Sequence, residues 1–240
     1  VPATRSDQSV TLTLGTTYPA RLFAMNPPPP AGVVRTSGTD TGSVNLTLAN
    51  AIATEPEVSD YWDGTDRSFN TGNVVYRPNY NEYDNAGSLV YESTVLYRQF
   101  DSGTLSVTGQ RLVDGKRLTL LTINGSVDRG SSTSESVTVE AVSASGTTVG
   151  ITNETGENIT IRVASQRPAS EWETLLREDE QFTDQGGYVL QDGVTETPIA
   201  GSPFDVITVE LEGDVRYRLK MAKAGIGTRV TDETATYLTD

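Results

Sequence analysis

The chain contains neither cysteine nor histidine. Without cysteine there is no disulfide framework, and redox chemistry says nothing about the compartment. Without histidine the usual general base, the commonest metal ligand and every Ser–His or Cys–His nucleophile pair are excluded. Lysine is scarce, occurring only at Lys116, Lys220 and Lys223. No apolar run approaches the ~20 residues needed for a membrane-spanning helix. Basic residues number 18 against 32 acidic ones, a net charge of −14. No basic patch is legible that would release counterions, which argues against nucleic acid or anionic lipid as a partner.

What is present is acid, together with much threonine, serine and glycine. This balance suits a protein kept soluble in concentrated salt, where self-repulsion between carboxylates is screened within a few ångströms. A length of 240 residues with 35% hydrophobic content supports a real core,. The expected organisation is one continuous domain over 1–240, with a Ser- and Gly-rich stretch at 128–135 as the place where it could divide into 1–127 and 136–240. Because the first residue is Val1, an upstream segment is expected to have been cleaved or left off,.

The pattern is that of short strands. Ser9–Leu14 alternates Val10, Leu12 and Leu14 with threonines, and Tyr18–Met25 looks like a second strand before a stiff spacer, Pro27-Pro28-Pro29-Pro30,. Leu46 and Leu48 mark another strand, with Asn45 and Thr47 outward. Ser88–Phe100, Thr104–Val113 and Arg117–Ser126 read as three consecutive strands, the last two joined by a two-residue loop at Asp114-Gly115,. Later segments centre on Val137–Ala141, Thr147–Ile151 and Ile159–Val163. A closing hairpin is expected to pair Ile207, Val209 and Leu211 with Tyr217, Leu219 and Met221 across Gly213-Asp214. Glu210 and Glu212 would then face Arg216, Arg218 and Lys220,. Thr234–Leu238 could add a last edge strand. One short helix is expected around 170–178, with Ser170 and Glu173 as a capping box and Trp172, Leu175 and Leu176 on its inner face,. The fold class these elements predict is all-β: an antiparallel β-sandwich, Greek-key or jelly-roll-like.

Chemistry-bearing residues are few. Asp60, Asp63 and Asp66 share an acidic loop and could ligate Ca²⁺ through oxygen, but their spacing is not that of the calcium loop D-x-[DN]-x-[DN]-G, and solvated surface is the simpler reading,. No other cofactor is implied. Four sequons, at Asn45, Asn124, Asn153 and Asn158, are candidate glycosylation sites,. Glu82, Glu92 and Glu140 are carboxylates of the type that glycoside hydrolysis uses, with none singled out. Tyr61, Trp62, Tyr80 and Tyr83 could form a sugar-stacking platform or cover one end of the core.

Several blocks carry a resemblance: Leu14-Gly15-Thr16-Thr17-Tyr18-Pro19-Ala20-Arg21, Asn26-Pro27-Pro28-Pro29-Pro30-Ala31-Gly32, Tyr80-Asn81-Glu82-Tyr83, Val90-Tyr91-Glu92 and Gly109-Gln110-Arg111-Leu112-Val113-Asp114-Gly115. Together they resemble a group of haloarchaeal surface proteins whose N-terminus is type IV pilin-like. What the resemblance implies is an extracellular β domain at the cell surface, held by a hydrophobic N-terminal segment that this sequence lacks. The expectation is therefore a non-enzymatic domain in adhesion or in envelope or filament assembly. Its partners would be other envelope proteins or copies of itself, and it would meet a membrane only through that missing segment. The alternatives are a jelly-roll capsid-type protein of a virus infecting such hosts, or a carbohydrate-binding or carbohydrate-active module.

Overall fold

The computed structural model describes residues 4–15, 30–37, 45–55, 66–79, 86–143, 148–154 and 156–227. Three sheets account for most of them. A seven-stranded sheet has the order β1 (Thr4–Thr13), β13 (Ser134–Ser143), β18 (Tyr217–Ile226), β11 (Arg117–Asn124) and β10 (Val113–Asp114), with β14 (Val149–Asn153) linking β18 to β4 (Ala51–Ala53). A six-stranded sheet runs β12 (Asp128–Ser131), β2 (Gly32–Ser37), β6 (Asn73–Arg77), β7 (Ser88–Glu92), β8 (Val95–Phe100) and β9 (Gly103–Ser106). A five-stranded sheet runs β16 (Val189–Pro198), β17 (Asp205–Leu211), β15 (Ile159–Ser165), β3 (Asn45–Ala49) and β5 (Arg67–Asn70). The fold class is all-β, with stacked, mostly antiparallel sheets and one α-helix among the described residues, α1 (Ala169–Glu178).

Inner faces of all three sheets meet in one core. Leu46, Ile161 and Val209 come from the five-stranded sheet, Val75, Val90 and Tyr97 from the six-stranded, and Leu118, Ile151 and Leu219 from the seven-stranded. Trp172, Leu175 and Leu176 of α1 close it, as the helical spacing predicts. A second core gathers Leu14, Val34, Ile123, Val127, Val137 and Ile226. β11 and β18 run through both, which is why they carry apolar residues along nearly their whole length.

Several expected elements are built differently. Ser88–Phe100 is a hairpin, with Ser93 and Thr94 turning the chain at φ of +42° and +74°. Leu89 and Tyr91 therefore do not share a face with the buried Val95 and Tyr97. Thr104–Val113 is not one strand: β9 ends at Ser106, and Leu105 and Val107 are 61% and 54% exposed. The tight turn into β11 is Gly115-Lys116, one residue later than expected, closed by the Asp114–Arg117 pair. Val10 is exposed on β1, which lies at a sheet edge. Residues 128–135 are no linker, because β12 pairs with β2 and Ser134 opens β13. Strands from either side of that stretch lie next to each other in the seven- and five-stranded sheets.

The closing hairpin is absent. β17 pairs with β15 and β16, whereas β18 lies in the other sheet between β13 and β11. Its register against β11 is parallel, running from Arg117–Arg218 to Asn124–Gly225. The ion pairs expected of Glu210 and Glu212 with Arg216, Arg218 and Lys220 do not form. Nor does the capping box. The helix starts at Ala169, so Ser170 lies inside its first turn, and the Ala169 amide is capped by Glu196 Oε2 at 2.7 Å. The expected strands at Tyr18–Met25 and Thr234–Leu238, and Pro27 to Pro29 of the spacer, lie outside the described residues.

Candidate functional site

Two groups of polar side chains stand out, one sealed and one open. The sealed group forms where β7 and β15 end beside α1. Glu92 and Ser165 are each 1% exposed. Ser165 Oγ donates to Glu92 Oε1 at 2.5 Å while accepting from Trp172 Nε1 and the Arg167 amide, both at 3.0 Å. The Gln166 amide reaches both carboxyl oxygens at 3.2 and 3.3 Å, and Tyr97 Oη donates to Oε2 at 3.3 Å. Arg167, 4% exposed, lies 5.0 Å over the Tyr97 ring and bonds Glu171 Oε2 at 2.8 Å and Ser106 Oγ at 2.9 Å. These contacts lock the six-stranded sheet, the five-stranded sheet and α1 together. A buried carboxylate beside a serine has the makings of a base and nucleophile; here both side chains are buried and Trp172 Nε1 donates to the serine oxygen.

Burial pushes the Glu92 carboxyl above the usual carboxylate range. The hydrogen bonds from Ser165, Gln166, Asn73 and Tyr97 oppose that shift without cancelling it. A carboxyl raised in this way gives its full stabilisation below the unfolded-state pKa of about 4.3 and loses it as pH rises through the higher folded value. Glu92→Gln keeps the shape and removes the titration. Its melting temperature relative to the parent should therefore climb as pH goes from about 4 to neutral. Circular dichroism melts across that range check it, and a melting temperature of Glu92→Gln that falls relative to the parent on raising the pH would mean the ionised form is the favoured one.

The open group is a cleft of about 660 Å³ lined by Lys116, Arg117, Arg216 and Arg218, with Thr148, Gly150, Glu55 and Asp114. Among the described residues it holds four of the chain's 18 cations and two acids, although the whole molecule carries −14. The parallel register of β11 and β18 sets Arg117 beside Arg218, and Arg216, the residue before β18, lines the same cleft. Gly150 of β14 pairs with Arg218 from the other side. A Cβ on Gly150 would come within 2.9 Å of the Arg216 guanidinium and 2.4 Å of Thr54 Oγ1, so the missing side chain leaves the room into which Arg216 folds. Glu55 pairs with Arg216, Asp114 with Arg117 at 3.4 Å, and Lys116 Nζ sits 5.2 Å from the Tyr188 ring centre. Among the described residues no acid pairs with Arg218. A smaller cleft of about 240 Å³ beside Gln110 has its amide groups occupied, with Gln110 Nε2 on Val113 O at 2.7 Å and Gln181 Oε1 on the Gly115 amide at 2.7 Å.

Of the residues singled out by sequence, Asp60 and Asp63 lie outside the described residues, as do Tyr61, Trp62, Tyr80, Glu82 and Tyr83. Asp66 Oδ1 accepts from the Asn50 amide at 2.9 Å. No cluster of three or more possible metal ligands occurs among the described residues. Glu140 is buried on β13 in a different sheet from Glu92. Asn45 is half-buried on β3, its Oδ1 enclosed without a hydrogen bond. Asn124 ends β11. Asn153 is fully engaged: its Nδ2 donates to the carbonyls of Glu154 and Glu157 at 3.0 and 2.8 Å, and its Oδ1 accepts from the Asp214 amide at 2.8 Å. Asn158, half-buried, accepts at its carbonyl from Asn50 Nδ2 at 3.1 Å. Sequence reasoning missed the cationic cleft. The one signal available was Lys116-Arg117 and the Arg216/Arg218 alternation, whose association depends on a long-range parallel pairing.

No family model, curated protein or solved structure matches the chain. The class that fold and site define is a stacked-sheet, acidic β protein with a cationic cleft among its described residues. Among the described residues no helix is long and apolar enough to cross a membrane.

Proposed function

We propose that the chain is the non-enzymatic extracellular domain of a haloarchaeal cell-surface protein, membrane-anchored or pilin-like, which works in adhesion or envelope assembly by holding an anionic partner. The observation that carries this reading is the sorting of polar groups. The convergent titratable cluster at Glu92 is sealed and spent on joining sheets and helix, while an accessible cleft has more cations than acids among its described lining residues, Glu55 and Asp114 being paired with Arg216 and Arg117. Fixed guanidinium groups bind anions at any physiological pH and supply no proton-transfer chemistry. The resemblance of the Leu14, Pro27 and Gly109 blocks to haloarchaeal surface proteins supplies the location, and the net charge of −14 fits brine,.

Antibody raised against this domain should label intact, unpermeabilised cells that make the full-length protein, and labelling confined to the cytoplasm would overturn the reading. The melting temperature of the domain should rise steadily with KCl. At about 1 M salt the screening length falls to about 3 Å and repulsion among surface carboxylates is quenched. A flat response to KCl would remove the argument from charge.

A further inference from the structure

We propose that the cleft floored by Gly150 is a binding site for sulfate or phosphate groups carried on an acidic glycan, an assignment that rests on the binding-module reading above and names its partner chemistry. Like charges on neighbouring strands repel, yet the parallel register holds Arg117 directly beside Arg218. Asp114 relieves Arg117 and Glu55 relieves Arg216, while among the described residues nothing relieves Arg218. In a chain with nearly twice as many acids as bases, this is a concentration of cations that an anionic ligand would offset.

Backbone geometry sets the charge spacing. Neighbouring strands lie about 4.8 Å apart, and residues two apart on one strand about 6.7 Å. Arg117 and Arg218 therefore leave the backbone from adjoining strand positions, with Arg216 two residues before Arg218, so three guanidinium groups line one cleft. Each fork can take two oxygens of a sulfate or phosphate. It is also weakly hydrated and stays charged, so it still binds by direct contact when concentrated salt removes long-range attraction. The size of the cleft favours a chain over a free ion: its volume of about 660 Å³ far exceeds the ~10–15 Å³ that, on the matching measure, holds one water. Single-stranded nucleic acid needs aromatic platforms for its bases, and among the described residues lining the cleft there is no aromatic ring.

The test is calorimetric titration of the purified chain with dextran sulfate and dextran phosphate oligosaccharides in KCl up to 1 M. Neutral dextran, inorganic sulfate, oligothymidylate and polyglutamate serve as comparison ligands. Saturable binding of the charged dextrans is expected. It should weaken at least about tenfold in Arg218→Glu, as for loss of a desolvated charge contact. Arg218→Lys, which keeps the charge and loses the fork, should fall in between. All three proteins should melt within a few degrees of each other, because the side chain is exposed. The proposal fails if neutral dextran binds equally well, or if both variants bind like the parent. It also fails if inorganic sulfate, oligothymidylate or polyglutamate matches the charged dextrans. Because binding is read on purified protein, failure here leaves the surface-labelling result standing, and the reverse also holds.

Discussion

Trp172→Ala should lower the stability of the folded chain by roughly 3–5 kcal/mol, the cost of emptying a large aromatic site in a core. At about 2–4 °C per kcal/mol for a chain of this size, the melting temperature should fall by roughly 6–20 °C. Trp172 is completely buried in the main core, and its indole Nε1 holds Ser165 Oγ at 3.0 Å. Truncation leaves a cavity beneath α1. It also strips one of two N–H donors from a hydroxyl that must keep its own proton directed at Glu92. Trp172→Phe separates these effects, since it restores much of the volume and none of the hydrogen bond. Its cost should be about 1–2 kcal/mol, the value of a buried polar group left short of a partner. Thermal and urea melts of the two variants decide it. Equal losses would assign the whole effect to the hydrogen bond, and a loss under about 1 kcal/mol for alanine would mean that α1 is not a structural plug.

The β class was legible because strand patterning is local. Leu46 and Leu48, Ile159 to Val163, and Ile207 to Leu211 all bury the residues that alternation selects. The helix was legible for the same reason, through the spacing of Trp172, Leu175 and Leu176. What the sequence hid was turn chemistry and pairing. A two-residue turn with both residues at positive φ ordinarily carries Asn-Gly or a similar pair. Ser93 and Thr94 give no such signal, so the β7–β8 hairpin read as one strand. The capping box at Ser170 was displaced because a tertiary partner, Glu196, caps the helix one residue earlier.

The cationic cleft was hidden more deeply. Strong alternation on both sides of Gly213-Asp214 suggested a hairpin, and in a hairpin Arg216 and Arg218 would have been neutralised by Glu210 and Glu212. Sending β17 and β18 to different sheets instead places Arg218 beside Arg117, a hundred residues earlier in the chain. Local pattern selects which residues face inward; it does not select which strand lies alongside. A functional surface assembled across such a pairing is invisible until the register is known.

The link from α1 to β16 sets up a sharp contrast between two adjacent glycines. Gly186→Ala should cost only about 1–2 kcal/mol. Its φ of +86° is strained for any side chain, but nothing lies within 4 Å of where a Cβ would go,. Gly187→Ala should cost about 3 kcal/mol or more, at the upper end for forcing atoms into filled space. A Cβ there would fall 2.1 Å from the Gln181 carbonyl oxygen and 2.2 Å from its carbon. That carbonyl cannot retreat without loss, because it accepts from the Tyr188 and Val189 amides at 2.7 and 2.8 Å and so fixes the start of β16 against the end of the helix. Urea melts of the two single variants give the comparison directly. If the loss for Gly187→Ala were no greater than for Gly186→Ala, the close approach of the two backbone segments would not exist in solution.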